Sequence, residues 1–156
     1  MRRSLLEKLG VLFLAMGEKM DNFFDKINVY YRENPFVTYL GMELLAVDKG
    51  MAKLSMVATK DKHSNLLGVT HGGAIMSLAD TAMGAACITN GKKTVTLEMN
   101  MNYIKAIQPE TTVLAKATVL HNGSRTLVVE ADIYDEAGTL YAKGRGTFFV
   151  VEKIDL

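Results

Sequence analysis

The chain has 156 residues, 49% hydrophobic and 22% charged, with 18 Lys plus Arg against 17 Asp plus Glu and a formal net charge of +1. That length suits one domain with a real core, the apolar content excludes a disordered chain, and the balanced charge speaks against nucleic acid as a partner. A single cysteine, Cys87, excludes an internal disulfide framework and a Cys-based zinc site, and His63, His71 and His121 are too scattered for a local metal motif. No metal or cofactor is expected, and the chain reads as cytoplasmic.

Arg2 and Arg3 open an apolar stretch, but Glu7 and Lys8 interrupt it and Glu18 and Lys19 end it. The uncharged run from Leu9 to Gly17 falls far short of the ~20 residues of a membrane span. Leu5, Leu9, Leu12, Met16, Met20, Phe23, Ile27 and Tyr30 recur in steps of three and four, one stripe of an amphipathic helix. The spacing predicts a helix over residues 1–33 lying on the domain or on its partner, with a membrane-surface anchor as the alternative. One domain over residues 34–156 follows it.

Asn34-Pro35 breaks the first helix. Phe36 to Val47 and Met51 to Ala58 read as strands joined by an Asp48-Lys49-Gly50 turn, and Lys60 to Thr70 as a loop. Val95, Leu97, Met99, Met101 and Tyr103 alternate with Thr94, Thr96, Glu98, Asn100 and Asn102, the period of a half-buried strand. Thr112 to Asn122, Thr126 to Tyr134 and Leu140 to Val151 add three strands. The turns between them, Asn122-Gly123 and Glu136-Ala137-Gly138, are short enough to imply antiparallel pairing.

His71 to Thr89 is a helix of a different kind. Ile75, Leu78, Ala79, Ala82 and Ala86 form its apolar stripe; Gly73, Met76, Ser77, Asp80, Met83, Gly84 and Cys87 lie opposite. A helix with no solvated charged face is normally buried all round. One modest sheet cannot cover both sides, so the second side is expected against another subunit. Asp80 is the one Asp, Glu, Lys or Arg of this span. A carboxylate there is costly unless paired or wet. It is either a structural Asp bonded to nearby hydroxyls or backbone, or a general base.

His71-Gly72-Gly73 stands at the helix start, where backbone N–H groups lack intrahelical acceptors and carry partial positive charge. Glycine there either lets a ligand oxygen reach the backbone or merely permits the tight turn. His71 and Asp80 are separated by about 13–14 Å along one helix, so they act independently or come from two facing subunits.

The run Asn65-Leu66-Leu67-Gly68-Val69-Thr70-His71-Gly72-Gly73-Ala74-Ile75-Met76-Ser77-Leu78-Ala79-Asp80-Thr81-Ala82 resembles the hotdog-fold acyl-CoA thioesterases of the PaaI-like, phenylacetate-pathway branch. The strand from Val95 to Tyr103 and the segment Gly138 to Gly144 look familial too, and the resemblance spans roughly Pro35 to Val151. It implies an α+β hotdog fold, an antiparallel sheet wrapped around one central helix, to which this chain adds its N-terminal helix. It implies a homodimer or dimer of dimers with sites at the interface, acyl-CoA as the ligand and no cofactor. Residue by residue, Gly72 and Asn65 of one subunit would polarise the thioester carbonyl, with His71 in support. Asp80 of the other subunit would activate water or attack directly, and Thr96 would orient the water. Gly73, Lys105 and Arg125 would bind substrate, the last two at the CoA phosphates. Glu98, expected on the same polar face as Thr96, is a competing carboxylate read as a rim residue. The alternatives are a non-catalytic acyl-CoA-binding or sensor domain, and a hotdog dehydratase or hydratase.

Overall fold

The computed structural model describes residues 22–156, and residues 22–32 form a helix, α1. The expected stripe from Leu5 to Met20 lies outside the described residues. Within α1, Ile27 is fully buried, but the stripe then runs to Tyr31 at 8% exposure rather than to Tyr30 at 44%. Among the described residues no helix is long and apolar enough to cross a membrane.

Phe36 to Leu40, expected as the start of a strand, instead belongs to a short helix, α2 (Pro35–Leu40). Asn34 caps it: the side chain accepts from the N–H groups of Phe36 at 3.0 Å and Val37 at 3.4 Å. Pro35 occupies the first turn, where its missing N–H costs nothing, and Gly41 ends the helix in the left-handed region at φ 67°. Local capping chemistry here outweighs the strand-like apolar residues.

The sheet holds β1 (Met42–Asp48), β2 (Met51–Ala58), β3 (Lys92–Tyr103), β4 (Thr111–Asn122), β5 (Thr126–Asp135) and β6 (Leu140–Lys153). Its order is β1-β2-β4-β5-β6-β3, with every pairing antiparallel as the short turns implied. The segment expected as loop contains one helical turn, α3 (Lys60–His63). The long helix α4 (Gly72–Ile88) lies across the sheet. Ile75, Leu78, Ala79, Ala82 and Ala86 are at most 2% exposed, facing Leu54, Val113, Val129 and Ile133 in one core cluster.

The opposite side of α4 departs from expectation. Met83 and Cys87 are as fully buried as the stripe, at 0% exposure, within one protomer. Burial pushes the Cys87 thiol up to about 11, which leaves it protonated and unreactive at neutral pH. Part of this side is covered by α1, whose Tyr31 packs on Gly84. Gly73 is exposed, and Ser77, Asp80 and Gly84 are half-buried, so this side is only partly covered by the described residues.

Candidate active site

The loop before α4 is tied down by Asn65. Its Oδ1 accepts from the N–H groups of Leu67 at 2.9 Å and Val69 at 3.3 Å, and its own N–H donates to Val69 O at 2.8 Å. The amide nitrogen of that side chain has no protein partner among the described residues and stays free to donate. Buried His63 anchors the loop from beneath. Its Nε2 meets Leu40 O at 3.1 Å, its Nδ1 accepts from Thr59 N–H at 3.0 Å, and its carbonyl accepts from His71 N–H at 2.7 Å.

His71 is the N-cap of α4, and its Nδ1 accepts from Gly73 N–H at 2.8 Å. The imidazole turns back on its own helix rather than onto Asn65, and Gly73 N–H is thereby engaged. Gly72 N–H, in contrast, has no protein acceptor among the described residues. It is a helix-terminal donor reinforced by the α4 dipole. The Gly72 carbonyl accepts from Tyr103 Oη at 2.8 Å, and a Cβ at Gly72 would meet Tyr103 Cζ at 3.2 Å. A side chain at Gly72 would therefore press on the ring of Tyr103.

Beside these groups lies a cavity of about 300 Å³ lined by Thr70, Gly72, Ile75, Tyr103, Lys105 and Tyr141 among others. Thr70 Oγ1 is buried there with no hydrogen-bond partner among the described residues. Lys105 Nζ stands 5.8 Å from the centre of the Tyr141 ring. Tyr141 Oη donates to Asp135 Oδ2 at 2.9 Å, which holds the ring in place. Arg125 is not part of this group. Lys105 N–H bonds Tyr141 O and Val150 N–H bonds Arg125 O, so the two basic residues are separated by roughly 30 Å along β6.

Asp80 and Thr96 do meet within one protomer: Thr96 Oγ1 donates to Asp80 Oδ1 at 2.7 Å. A bulge in β3 makes this possible. Thr96 pairs with Phe148 and Glu98 with Thr147, leaving Leu97 as the extra residue. Phe148 is buried on the helix side of β6, whereas Thr147 points away. Thr96 therefore faces α4 and Glu98 faces outward, where it accepts from Thr147 Oγ1 at 2.7 Å. The shared polar face expected for Thr96 and Glu98 does not exist, because a bulge breaks the period of two. Glu98 is thereby removed from Asp80.

The structure thus gathers Asn65, His71, Gly72 and Gly73 at one end of α4 and Asp80 with Thr96 at its middle. Tyr103 and Tyr141, absent from the expected site, join the first group. Tyr103 could have been found as the last member of the alternating strand. Tyr141 lies in the Gly138 to Gly144 segment that resembles the family, but its residue type and spacing there do not single it out.

An α4 helix wrapped by an antiparallel sheet, with a free N–H at its start and a carboxylate at its centre, is the hotdog architecture. The thioesterase superfamily model matches residues 67–142. The chain is 34% identical over 117 residues to the 1,4-dihydroxy-2-naphthoyl-CoA hydrolase of Listeria monocytogenes, covering 73% of this chain and 94% of that one. It is 28% identical over 116 residues to the acyl-coenzyme A thioesterase PaaI of Escherichia coli, covering 74% and 82%. The solved structure of the E. coli PaaI protein superposes with a TM-score of 0.81 at 25% identity, over 86% of this chain and 97% of that one. A Streptococcus mutans protein solved bound to acetyl CoA gives a TM-score of 0.70 at 30% identity, over 73% and 91%. The chain belongs to the thioesterase superfamily, in its PaaI-like hotdog branch.

Proposed function

We propose that this chain hydrolyses an acyl-CoA thioester to a carboxylic acid and free CoA, at sites shared between two subunits. The observation that carries the reading is the spacing on α4. Gly72 N–H and Asp80, which Thr96 of β3 holds, are about 12 Å apart along α4, too far to act on one thioester from a single protomer. A second copy closes the gap. The open turn from Gly73 to Ser77 lets two antiparallel α4 helices approach, and a two-fold axis there would carry each Asp80 toward the partner's helix start. The edge strand β3 favours the same pairing. It is hydrogen-bonded to β6 alone, and Val95 and Leu97 are 51% and 58% exposed. A long apolar edge is a template for another strand.

In this arrangement Gly72 N–H and the free Asn65 amide hold the carbonyl oxygen, and the charge that develops there is met by the start of α4. Asp80, held by Thr96, takes a proton from water, and the resulting hydroxide adds to the carbonyl carbon. The C–S bond then breaks, and the CoA thiolate leaves and is protonated. An oxyanion donor contributes about 3–4 kcal/mol and a positioned base roughly 10²–10⁴-fold. Lys105 lines the same cavity as Gly72 and is suited to a phosphate. Arg125 could reach the same CoA only from the partner subunit.

The test is thiol release from aryl, short-chain and long-chain acyl-CoAs. Turnover by the wild type that is lost in Asp80→Ala supports the reading. Equal turnover by both would remove Asp80 from it. Ligand-dependent stabilisation without turnover would favour the binding-domain alternative.

A further inference from the structure

Asn65 and Gly72 are delivered by one closed loop. Its base is tied by His71 N–H donating to His63 O at 2.7 Å, and Ser64 pairs with Thr70 one step further along. Asn65 N–H bonds Val69 O at 2.8 Å, and Gly68, in the left-handed region at φ 76°, turns the tip. Asn65 follows His63 by two residues, and Gly72 follows His71 by one. Both groups proposed to hold the carbonyl oxygen therefore depart from the His63–His71 pair.

The His63 ring is 3% exposed and engaged at both nitrogens. Thr59 N–H can only donate, so Nδ1, 3.0 Å away, carries the lone pair. Leu40 O can only accept, so Nε2, 3.1 Å away, carries the proton. The Thr59 bond is local, four residues back in the chain. The Leu40 bond spans 23 residues and reaches the last residue of α2, where helix carbonyls lack intrahelical donors. His63 and α2 both precede residues 67–142, so this brace lies outside the segment that the superfamily model matches.

We propose that His63 is a positioning residue for the thioester carbonyl: through its ring, the end of α2 braces the base of the loop and fixes the spacing between the Asn65 amide and Gly72 N–H. This deepens the thioesterase reading and rests on it. His63 itself touches no reacting atom. Oxyanion donors act by being in place beforehand, and a misplacement of about 1 Å can cost roughly 10²-fold. A side chain of similar bulk would fill the same space, but only one with a donor at the Nε2 position keeps the brace.

The experiment measures kcat and KM for wild type, His63→Asn and His63→Gln, each checked for folding by circular dichroism. The substrate is whichever of benzoyl-, hexanoyl- and dodecanoyl-CoA the wild type turns over fastest. His63→Asn keeps an acceptor for Thr59 and loses the link to Leu40, whereas His63→Gln keeps a donor for Leu40 and loses the link to Thr59. His63→Asn should lower kcat about tenfold or more with KM within about twofold, and His63→Gln should keep most of kcat. Wild-type kcat in folded His63→Asn, or an equal loss in both variants, overturns the proposal. If His63→Asn fails to fold, Thr38→Pro breaks α2 at an exposed position, where the Thr38 N–H bonds Asn34 O at 3.0 Å. It should lower kcat with KM held, and an unchanged kcat there overturns the proposal equally. If the wild type turns over none of the three, the thioesterase reading has failed separately. The brace is then read from hydrogen exchange of the His71 amide. Faster exchange in folded His63→Asn than in His63→Gln supports it, and equal rates overturn it.

Discussion

Thr96 on β3 donates a hydrogen bond of 2.7 Å to Asp80 on α4, and the Leu97 bulge is what turns the threonine toward the helix. A charged acceptor makes this bond one of the stronger kinds, about 1.5–3 kcal/mol. Thr96→Ala should therefore lower kcat roughly 10–100-fold with little change in KM, and Thr96→Ser should restore most of it. Asp80→Asn should cost more, about 10²–10⁴-fold, because it removes the proposed base. Steady-state kinetics on one acyl-CoA checks the order, and Thr96→Ala equal to wild type would show that the bond is purely structural.

Sites split between subunits have a property that single-chain sites lack. Asp80→Ala and Asn65→Ala proteins should each be nearly inactive alone. Unfolded together and refolded as a mixture, they should regain activity, since a mixed dimer holds one site with both groups intact. No recovery in a mixture proven by mass spectrometry to contain hybrids would place Asn65 and Asp80 in the same subunit's site.

The β3 edge offers a third test. Val95 and Leu97 are exposed in the protomer, and a charge on an exposed edge strand opposes strand pairing. Leu97→Lys should shift the protein toward monomer in analytical ultracentrifugation and lose activity in parallel. A monomer that kept full turnover would contradict the shared site.

The long helix was legible in the sequence because its chemistry is extreme. A span with one charged residue, Asp80, and a five-residue apolar stripe leaves few places to go. The strand boundaries from β4 onward were legible for a similar reason: Asn122-Gly123 and Gly138, at φ 82°, punctuate them. What stayed hidden was set partly by neighbours distant in the chain and partly by capping side chains that outweigh the apolar pattern. The bulge at Leu97 answers to β6 and changes no residue type, so a period of two read straight through it. The Asn34 cap made a helix of Phe36 to Leu40, whose apolar residues look equally strand-like. The choice of Tyr31 over Tyr30 as the buried ring depends on where α1 meets Gly84. His71 looked like a partner for Asn65, but a side chain at an N-cap satisfies its own helix first.

Gly72 has no room for a methyl group without moving Tyr103, whose ring would lie 3.2 Å from the new Cβ. Gly72→Ala should disturb the bond from Tyr103 Oη to Gly72 O and tilt the free N–H, cutting kcat about 10-fold or more. Trimming the ring in Gly72→Ala/Tyr103→Ala removes the clash. The double variant should then be more active than Gly72→Ala alone. A double variant no better than the product of its two single defects would mean that the glycine serves only the backbone turn.

The support behind the cavity gives a pH signature. Asp135 accepts from Thr139 N–H at 2.8 Å and from Tyr141 Oη at 2.9 Å, and these bonds hold its carboxyl below the usual aspartate range. A carboxylate whose folded pKa is depressed stabilises the fold fully above its unfolded value, about 3.9, and loses that contribution as pH falls through the folded value. Asp135→Asn should therefore melt below wild type at pH 7, by an amount that stays constant down to about pH 5 and shrinks below about pH 4. Thermal melts of both proteins across that range measure it. Because Tyr141 lines the cavity beside Lys105, the same variant should also raise KM for acyl-CoA while leaving the Asp80–Thr96 pair untouched. A melting difference that persisted unchanged into strong acid would mean that the Asp135 charge plays no part in holding the ring.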